Sequence, residues 1–329
     1  MEIMGIARGR LLVWVVVLTI GSTPIQGQKS KPAQPQLKQE RAPKSSAEVF
    51  TLVGAGDVAN CTDLTGAHAT AVLIEDIPGT VFVAGDLAYT RGTIAEFQKC
   101  YQPTWGRFKD RTKPSPGNHE YNGSEAIGYF QYWDGQAGDP KRGYYSYDLG
   151  AWHVVVLNTN CTVPSLGGCG EGSPEETWLR QDLAAHSDSC VVAYGHHALF
   201  SSGVFSSHAR HTELRPFWRA LYEAHADLIL AGHEHSYERF APQDPEGNLD
   251  PLHGIRQITV GTGGASHTPL GHAQANSEVR NDYTFGVLRL TLGAGKYKWE
   301  FVPEAGMTFH DSGEGACHNA KGAAKLAGP

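Results

Sequence analysis

The sequence predicts a mixed α/β domain in which sheets pack between helices, and three observations carry that expectation. Short apolar runs rich in β-branched residues and bounded by Gly or Asp recur from residue 49 onward; such runs read as buried strands. Segments with helical apolar spacing fall between them. Towards the C-terminus, strand-like runs follow one another with no helical segment in between, which makes the arrangement mixed.

Residues 1–27 stand outside this domain. Arg8 and Arg10 precede the apolar run LLVWVVVLTI, and GSTPIQG follows, with Gly27 at the expected cleavage position. That is the layout of a secretory signal peptide, and the run is short for a bilayer span; an uncleaved N-terminal anchor is the alternative. Residues 28–47, QKSKPAQPQLKQERAPKSSA, are rich in Lys, Gln, Pro and Ser. They bury too little to offset their ordering entropy and read as a disordered basic linker. The folded body is expected over residues 48–318, with 319–329 a flexible tail. Within the body, VFTLVGAGD, TVFVAGD, WHVVVLN, CVVAYGH and ADLILAGH read as strands. TIAEFQKCY, PEETWLRQDLAAH and ELRPFWRALYEAH read as helices. The first two have Thr or Ser near their starts, and the third tolerates Pro216 only in its first turn. GIRQITVGTGG, YTFGVLRLTL and YKWEFVP are further strands, and the stretch GEGACHNAKGAAKLAGP reads as small and flexible apart from Cys317.

Charge narrows the functional classes. The chain carries −7 overall. Residues 1–27 contribute +1 and residues 28–47 contribute +4, which leaves −12 on the body. An acidic body argues against a nucleic-acid-binding surface, whose footprint would be basic. Substrate recognition is then local and metal-assisted. Six cysteines in an exported chain point to disulfides. Spacing alone leaves the pairing open; the expectation is Cys161–Cys169 around the tight loop TVPSLGG, then Cys61–Cys100 and Cys190–Cys317. A thiolate metal site is the rival, but no CxxC pair is present.

Several strands end in hard metal ligands. The first ends at Asp57 and the second at Asp86. A connector supplies Asn118 and His119, a later strand ends at His196 and His197, and the next at His233 and His235. In an extended segment residues i and i+2 share a side, so His233 and His235 can converge on one point. In open α/β sheets the carboxyl ends of strands are where sites assemble. Carboxylate, amide oxygen and imidazole suit Zn, Mn and Fe, with enough donors for two ions. Two such cations polarise a phosphoryl group for in-line attack, and Asp86 is the expected shared carboxylate.

The series GD, GDLAY, GNHE, GHH and GHEHSYER resembles the calcineurin-like metallophosphoesterase superfamily, most closely its purple acid phosphatase branch, over nearly all of residues 50–310. The resemblance implies a four-layer α/β/β/α sandwich of two mixed sheets flanked by helices. It implies that Asp57, Asp86, Tyr89 and His235 hold Fe(III), while Asp86, Asn118, His196 and His233 hold Zn, Mn or Fe(II). The branch rests on one position. The superfamily usually begins Asp-x-His, whereas Val58 and Ala59 follow Asp57 here, and Tyr89 supplies the missing donor. His119 resembles the family histidine that binds phosphate and protonates the leaving group. A second such histidine is expected in HALFSSGVFSSHARH, with His208 chosen and His211 and His197 as rivals. The implied function is an exported phosphomonoesterase acting on a small phosphate ester, with a metal-bound hydroxide attacking phosphorus. A phosphodiesterase or nucleotidase on the same site, or a catalytically silent cell-surface binding domain, are the alternatives.

Overall fold

The computed structural model describes residues 48–123, 125–204 and 211–319. The N-terminal segment, the loop carrying His208 and the last ten residues lie outside them. The first half of the described chain runs β1 (Phe50–Ala55), β2 (Ala59–Asn60), α1 (Thr65–Glu75), β3 (Thr80–Ala84), β4 (Ala88–Tyr89), α2 (Ile94–Glu96) and β5 (Thr112–Ser115). Helices α3 (Asn118–Tyr121) and α4 (Ile127–Trp133) lead to β6 (Tyr145–Leu149) and β7 (Trp152–Val156). Next come α5 (Pro174–Ala185), β8 (Cys190–Tyr194), α6 (Arg215–Glu223) and β9 (Leu228–Ala231). The chain then continues through β10 (Tyr237–Phe240), β11 (Arg256–Val260), β12 (Ser277–Asn281), β13 (Gly286–Gly293), β14 (Lys296–Pro303) and β15 (Ser312–Ala316).

Local chemistry accounts for the helix starts. Thr93 accepts a hydrogen bond from the Glu96 amide while the Glu96 carboxylate returns one from the Thr93 amide, a capping box opening α2. Ser173 accepts from the Glu176 amide, and Pro174 occupies the first turn of α5, where its missing N–H loses nothing.

The larger strands form two mixed sheets, ordered β15-β14-β13-β1-β3-β5 and β12-β10-β11-β9-β8-β7-β6. Period-two alternation assigns their faces. Val154, Val156, Val192, Tyr194, Leu228 and Leu230 of the second sheet share a core with Leu52, Val81 and Phe82 of the first. The intervening Val155, Val191, Ala193 and Ile229 pack on α5 and α6 through Leu179, Leu183, Phe217 and Leu221. Polar and aromatic contacts also join the sheets: Trp152 Nε1 donates to the Gly293 carbonyl at 2.8 Å, and the Phe82 and Tyr194 rings lie 5.5 Å apart. With α1 adding Ala67, Ala71 and Ile74 to the core on the first sheet's side, the expected four-layer α/β/β/α sandwich is complete.

Two segments differ from the sequence expectation. Helix α1, TGAHATAVLIE, has too little contrast between its faces to signal a helix. The stretch read as flexible after Gly313 begins as β15, paired antiparallel with β14. Its composition hid it, yet it explains the glycines. A Cβ on Gly313 would sit 2.2 Å from the Trp299 ring, and one on Gly315 would sit 2.4 Å from Tyr297, so only glycine lets this strand cross those aromatics. The three disulfides match the expected pairing: Cys61–Cys100, Cys161–Cys169 and Cys190–Cys317.

Candidate metal centre

Strands β1, β3 and β5 run parallel, as do β7, β8, β9 and β11, so the segments that follow them leave from matching ends. Asp57 and Asp86 follow β1 and β3, Asn118 follows β5, His196 follows β8, and His233 and His235 follow β9. Small residues make room for this convergence. A Cβ on Gly117 would lie 2.1 Å from Asp86 Oδ1, and one on Gly85 would lie 2.4 Å from the His196 ring. Asp57, Asp86 and His233 themselves hold left-handed backbone, with φ of 62°, 52° and 70°. Non-glycine residues occupy that region infrequently, Asp and His more often than most.

The side chains fall into two linked groups. Tyr89 Oη lies 2.7 Å from Asp57 Oδ1, 3.1 Å from Asp86 Oδ2 and 2.9 Å from His235 Nε2. His196 Nε2 lies 3.0 Å from Asn118 Oδ1, 3.2 Å from Asp86 Oδ2 and 3.1 Å from His233 Nδ1. Asp86 Oδ2 therefore touches both groups. The His233 amide donates to Asp57 Oδ2 at 2.8 Å, which ties the two ends of the constellation together.

Tautomers decide what these contacts mean. His196 Nδ1 lies 2.8 Å from the Ala84 carbonyl. A carbonyl only accepts, so Nδ1 carries a proton and the neutral ring presents its Nε2 lone pair to Asp86 and Asn118. Acceptors then face acceptors around a common point, an arrangement that a proton or a cation must neutralise. Burial opposes a charge on His196, but the adjacent Asp86 and Asp57 carboxylates push its pKa up to about 9. Burial, then Asp57 and Asp86, drive the Tyr89 phenol well above its ordinary value. The donor set thus fits a pair of hard cations, with Asp86 reaching both groups.

Sequence reasoning missed the groups that hold the donors in place. Glu120 is buried and accepts hydrogen bonds from the amides of Asp86, Leu87 and Gly117 at 2.8–2.9 Å. Burial and the nearby Asp86 charge raise its pKa to about 7. It follows His119 directly in the sequence, but nothing in the chain announces that its carboxylate turns inward. Thr159 Oγ1 accepts from the amides of His196 and His197 and lies 2.9 Å from His197 Nδ1. Its one hydroxyl proton then goes to His197 Nδ1, so that ring carries its own proton on Nε2. Burial, with His196 next among its neighbours, keeps His197 well below the ordinary imidazole range.

The remaining histidines line the same place. His119 Nδ1 is held at 2.6 Å by the Thr90 carbonyl, and its Nε2 lies 3.8 Å from Asp86 Oδ2. Its ring packs 4.4 Å from that of Tyr89. His211 stands 4.4 Å from His197 and 5.3 Å from His233, centroid to centroid. His208 lies outside the described residues.

A family model for calcineurin-like phosphoesterases matches residues 51–237, more than half of the chain and most of the segments just described. The chain belongs to the calcineurin-like phosphoesterase family. Within that family, Purple acid phosphatase 23 of Arabidopsis thaliana is 29% identical over 240 residues, which cover 61% of this chain and 50% of the plant protein. Probable inactive purple acid phosphatase 1 of the same plant is 22% identical over 351 residues, covering 92% and 52%. The solved structure of purple acid phosphatase PPD1 from yellow lupin (Lupinus luteus) seeds aligns with a TM-score of 0.66 at 18% identity, covering 82% of this chain and 54% of that one. The chain spans about half the length of these relatives. Membership of the calcineurin-like phosphoesterase family implies two metal ions, which the donor set accommodates.

Proposed function

We propose that this chain is an exported dimetal phosphomonoesterase of the purple acid phosphatase type. One observation carries the reading: seven side chains from five segments converge with their oxygen and nitrogen atoms about 3 Å apart, around a carboxylate that touches both groups. Asp57, Asp86, Tyr89 and His235 hold Fe(III). Asp86, Asn118, His196 and His233 hold Zn, Mn or Fe(II). When bound, the two cations polarise the phosphoryl group and supply the nucleophile. The chain's own residues then do the rest. His119, fixed through Nδ1 by the Thr90 carbonyl, presents Nε2 beside Asp86 and in its imidazolium form donates the Nε2 proton to the leaving oxygen. The second histidine in this reading is His208, which lies outside the described residues, and its rivals His197 and His211 both stand beside His233, with ring centroids 4.5 and 5.3 Å from it. Residues 1–27 as a signal peptide, 28–47 as a linker and 319–329 as a tail complete the proposal, and three disulfides suit an oxidising compartment. No helix among the described residues is long and apolar enough to cross a membrane.

The test is hydrolysis of paired mono- and diester substrates by metal-loaded and metal-stripped protein. Monoester turnover that is abolished by stripping and restored by metal is the expected result. Faster diester turnover would make this a phosphodiesterase instead. A folded, metal-replete protein inactive on both would place it with relatives such as Probable inactive purple acid phosphatase 1. Iron-loaded protein should also show a visible tyrosinate absorption band that Tyr89→Phe removes, and a fully iron-loaded wild type without that band refutes the Tyr89 assignment.

A further inference from the structure

A second cluster of titratable groups lies at the other end of the same strands. His153 is the second residue of β7, paired across the ladder with Asp148 of the edge strand β6. Its ring is buried, and both nitrogens face carboxylates: Nδ1 lies 2.8 Å from Asp148 Oδ1 and Nε2 lies 2.8 Å from Asp182 Oδ2. Asp182 and His186 stand four residues apart at the end of α5, so they share one face of the helix. Asp182 is itself steadied by the Ser146 hydroxyl at 3.0 Å. The His186 ring lies flat on that of His153, centroids 3.7 Å apart at 12°. Its Nδ1 lies 2.7 Å from the Asp182 carbonyl, which only accepts, so Nε2 is left with the lone pair.

We propose that Asp148, His153 and His186 form a peripheral site for a zinc-class divalent cation, with Asp182 as the carboxylate that orients His153. Ligand atoms from the three residues lie within 4.8 Å of one another. Around a tetrahedral Zn²⁺ with bonds of about 2.0–2.1 Å, such atoms stand about 3.3 Å apart. The trio closes by movement of the Asp148 and His186 side chains, which are 61% and 32% exposed, while buried His153 stays in place. His186 turns out of its stack to aim Nε2 at the ion. Asp182 holds the Nε2 proton of His153 and leaves Nδ1 to the metal, the arrangement in which a carboxylate fixes a ligating imidazole from behind. Two imidazoles and one carboxylate suit Zn²⁺ far better than Ca²⁺ or Mg²⁺, which demand an oxygen shell. The fourth position opens to water. Both His153 nitrogens face carboxylate oxygens, which only accept, so the ion replaces the proton that Nδ1 shares with Asp148.

Equilibrium dialysis of the full chain against Zn²⁺, followed by elemental analysis, tests this site independently of the catalytic reading. Wild type should retain one equivalent more than His186→Ala and than Asp148→Asn, with circular dichroism checking that each variant is folded. The same one-equivalent difference should persist when Asp86→Ala is present in all three proteins, because the strand-end centre takes no part in it. Titration calorimetry in buffers of different ionisation enthalpy should show release of about one proton for the added equivalent. Equal zinc content in wild type and both variants overturns the proposal. So does an added equivalent that survives both substitutions.

Discussion

At their N-terminal ends, β7, β8 and β9 are fastened to the rest of the chain. His153 sits between two carboxylates, Cys190 is bonded to Cys317, and Asp227 accepts from the amides of Val191 and His318. At their C-terminal ends the same strands give way to Thr159, His196, His233 and His235, whose partners come from the other sheet or from loops. One end is bolted by a disulfide and by hydrogen bonds in which donors meet acceptors. The other collects groups whose mutual contacts call for a cation. The difference shows how one framework separates stability from chemistry: the parallel strands are rigid enough at one end to hold unfavourable neighbours together at the other.

Substitutions should break the two ends in different ways. Asp86→Ala removes the carboxylate common to both donor groups and should have the largest effect. Loss of several kcal/mol of charge stabilisation corresponds to a fall of about 10³-fold or more in kcat, read by steady-state assay beside elemental analysis showing metal loss. Replacing both Cys190 and Cys317 by Ser acts on the bolted end. The bond closes a separation of 127 residues, and its removal should lower stability by about 2–5 kcal/mol. Denaturant unfolding measures this, while kcat at 25 °C should stay within about twofold. A comparable fall in kcat would show that the ends are not separable.

Two smaller effects sharpen the contrast. Glu120→Gln keeps the shape but offers an NH₂ where the carboxylate accepted from the Asp86 and Gly117 amides. Metal affinity should fall about 10–100-fold, the usual scale for a group that holds a ligand from behind. Competition with a chelator reads it. At the other end, burial raises the Asp227 pKa from 3.8 to about 6. Its stabilising contribution is full below the lower value and is lost as pH rises through the upper one. Asp227→Asn lacks that loss, so the stability difference should shift in the variant's favour by at most about 3 kcal/mol between pH 4 and 7. Parallel pH profiles would show that Asp227 does not titrate there.

What the sequence made legible follows the same division. Asp57, Asp86, His196 and His233 could be read because each follows an apolar run and a glycine, with His235 two residues further on, so chain direction alone places them at one edge. Tyr89 needed the family resemblance, since a tyrosine after a strand is as readily a packing residue. Glu120 was illegible because its role depends on the amides of Asp86 and Leu87, brought in from another segment. The His153 cluster was hidden for a related reason: a histidine within WHVVVLN reads as strand filler until α5 lays Asp182 and His186 against it. Strand β15 escaped because glycines usually mark loops, and only the facing Trp299 and Tyr297 rings explain them.

The left-handed backbone at Asp57, Asp86 and His233 bears on how this fold drifts. Each such residue costs about 1 kcal/mol or more, a strain that glycine would not carry. Glycine at any of the three positions relaxes the main chain and deletes a donor in the same step. Screening a library of this protein for thermal tolerance alone would thus tend to erode the centre at these three codons. Any lineage that keeps all three has been held there by use and not by comfort of fold.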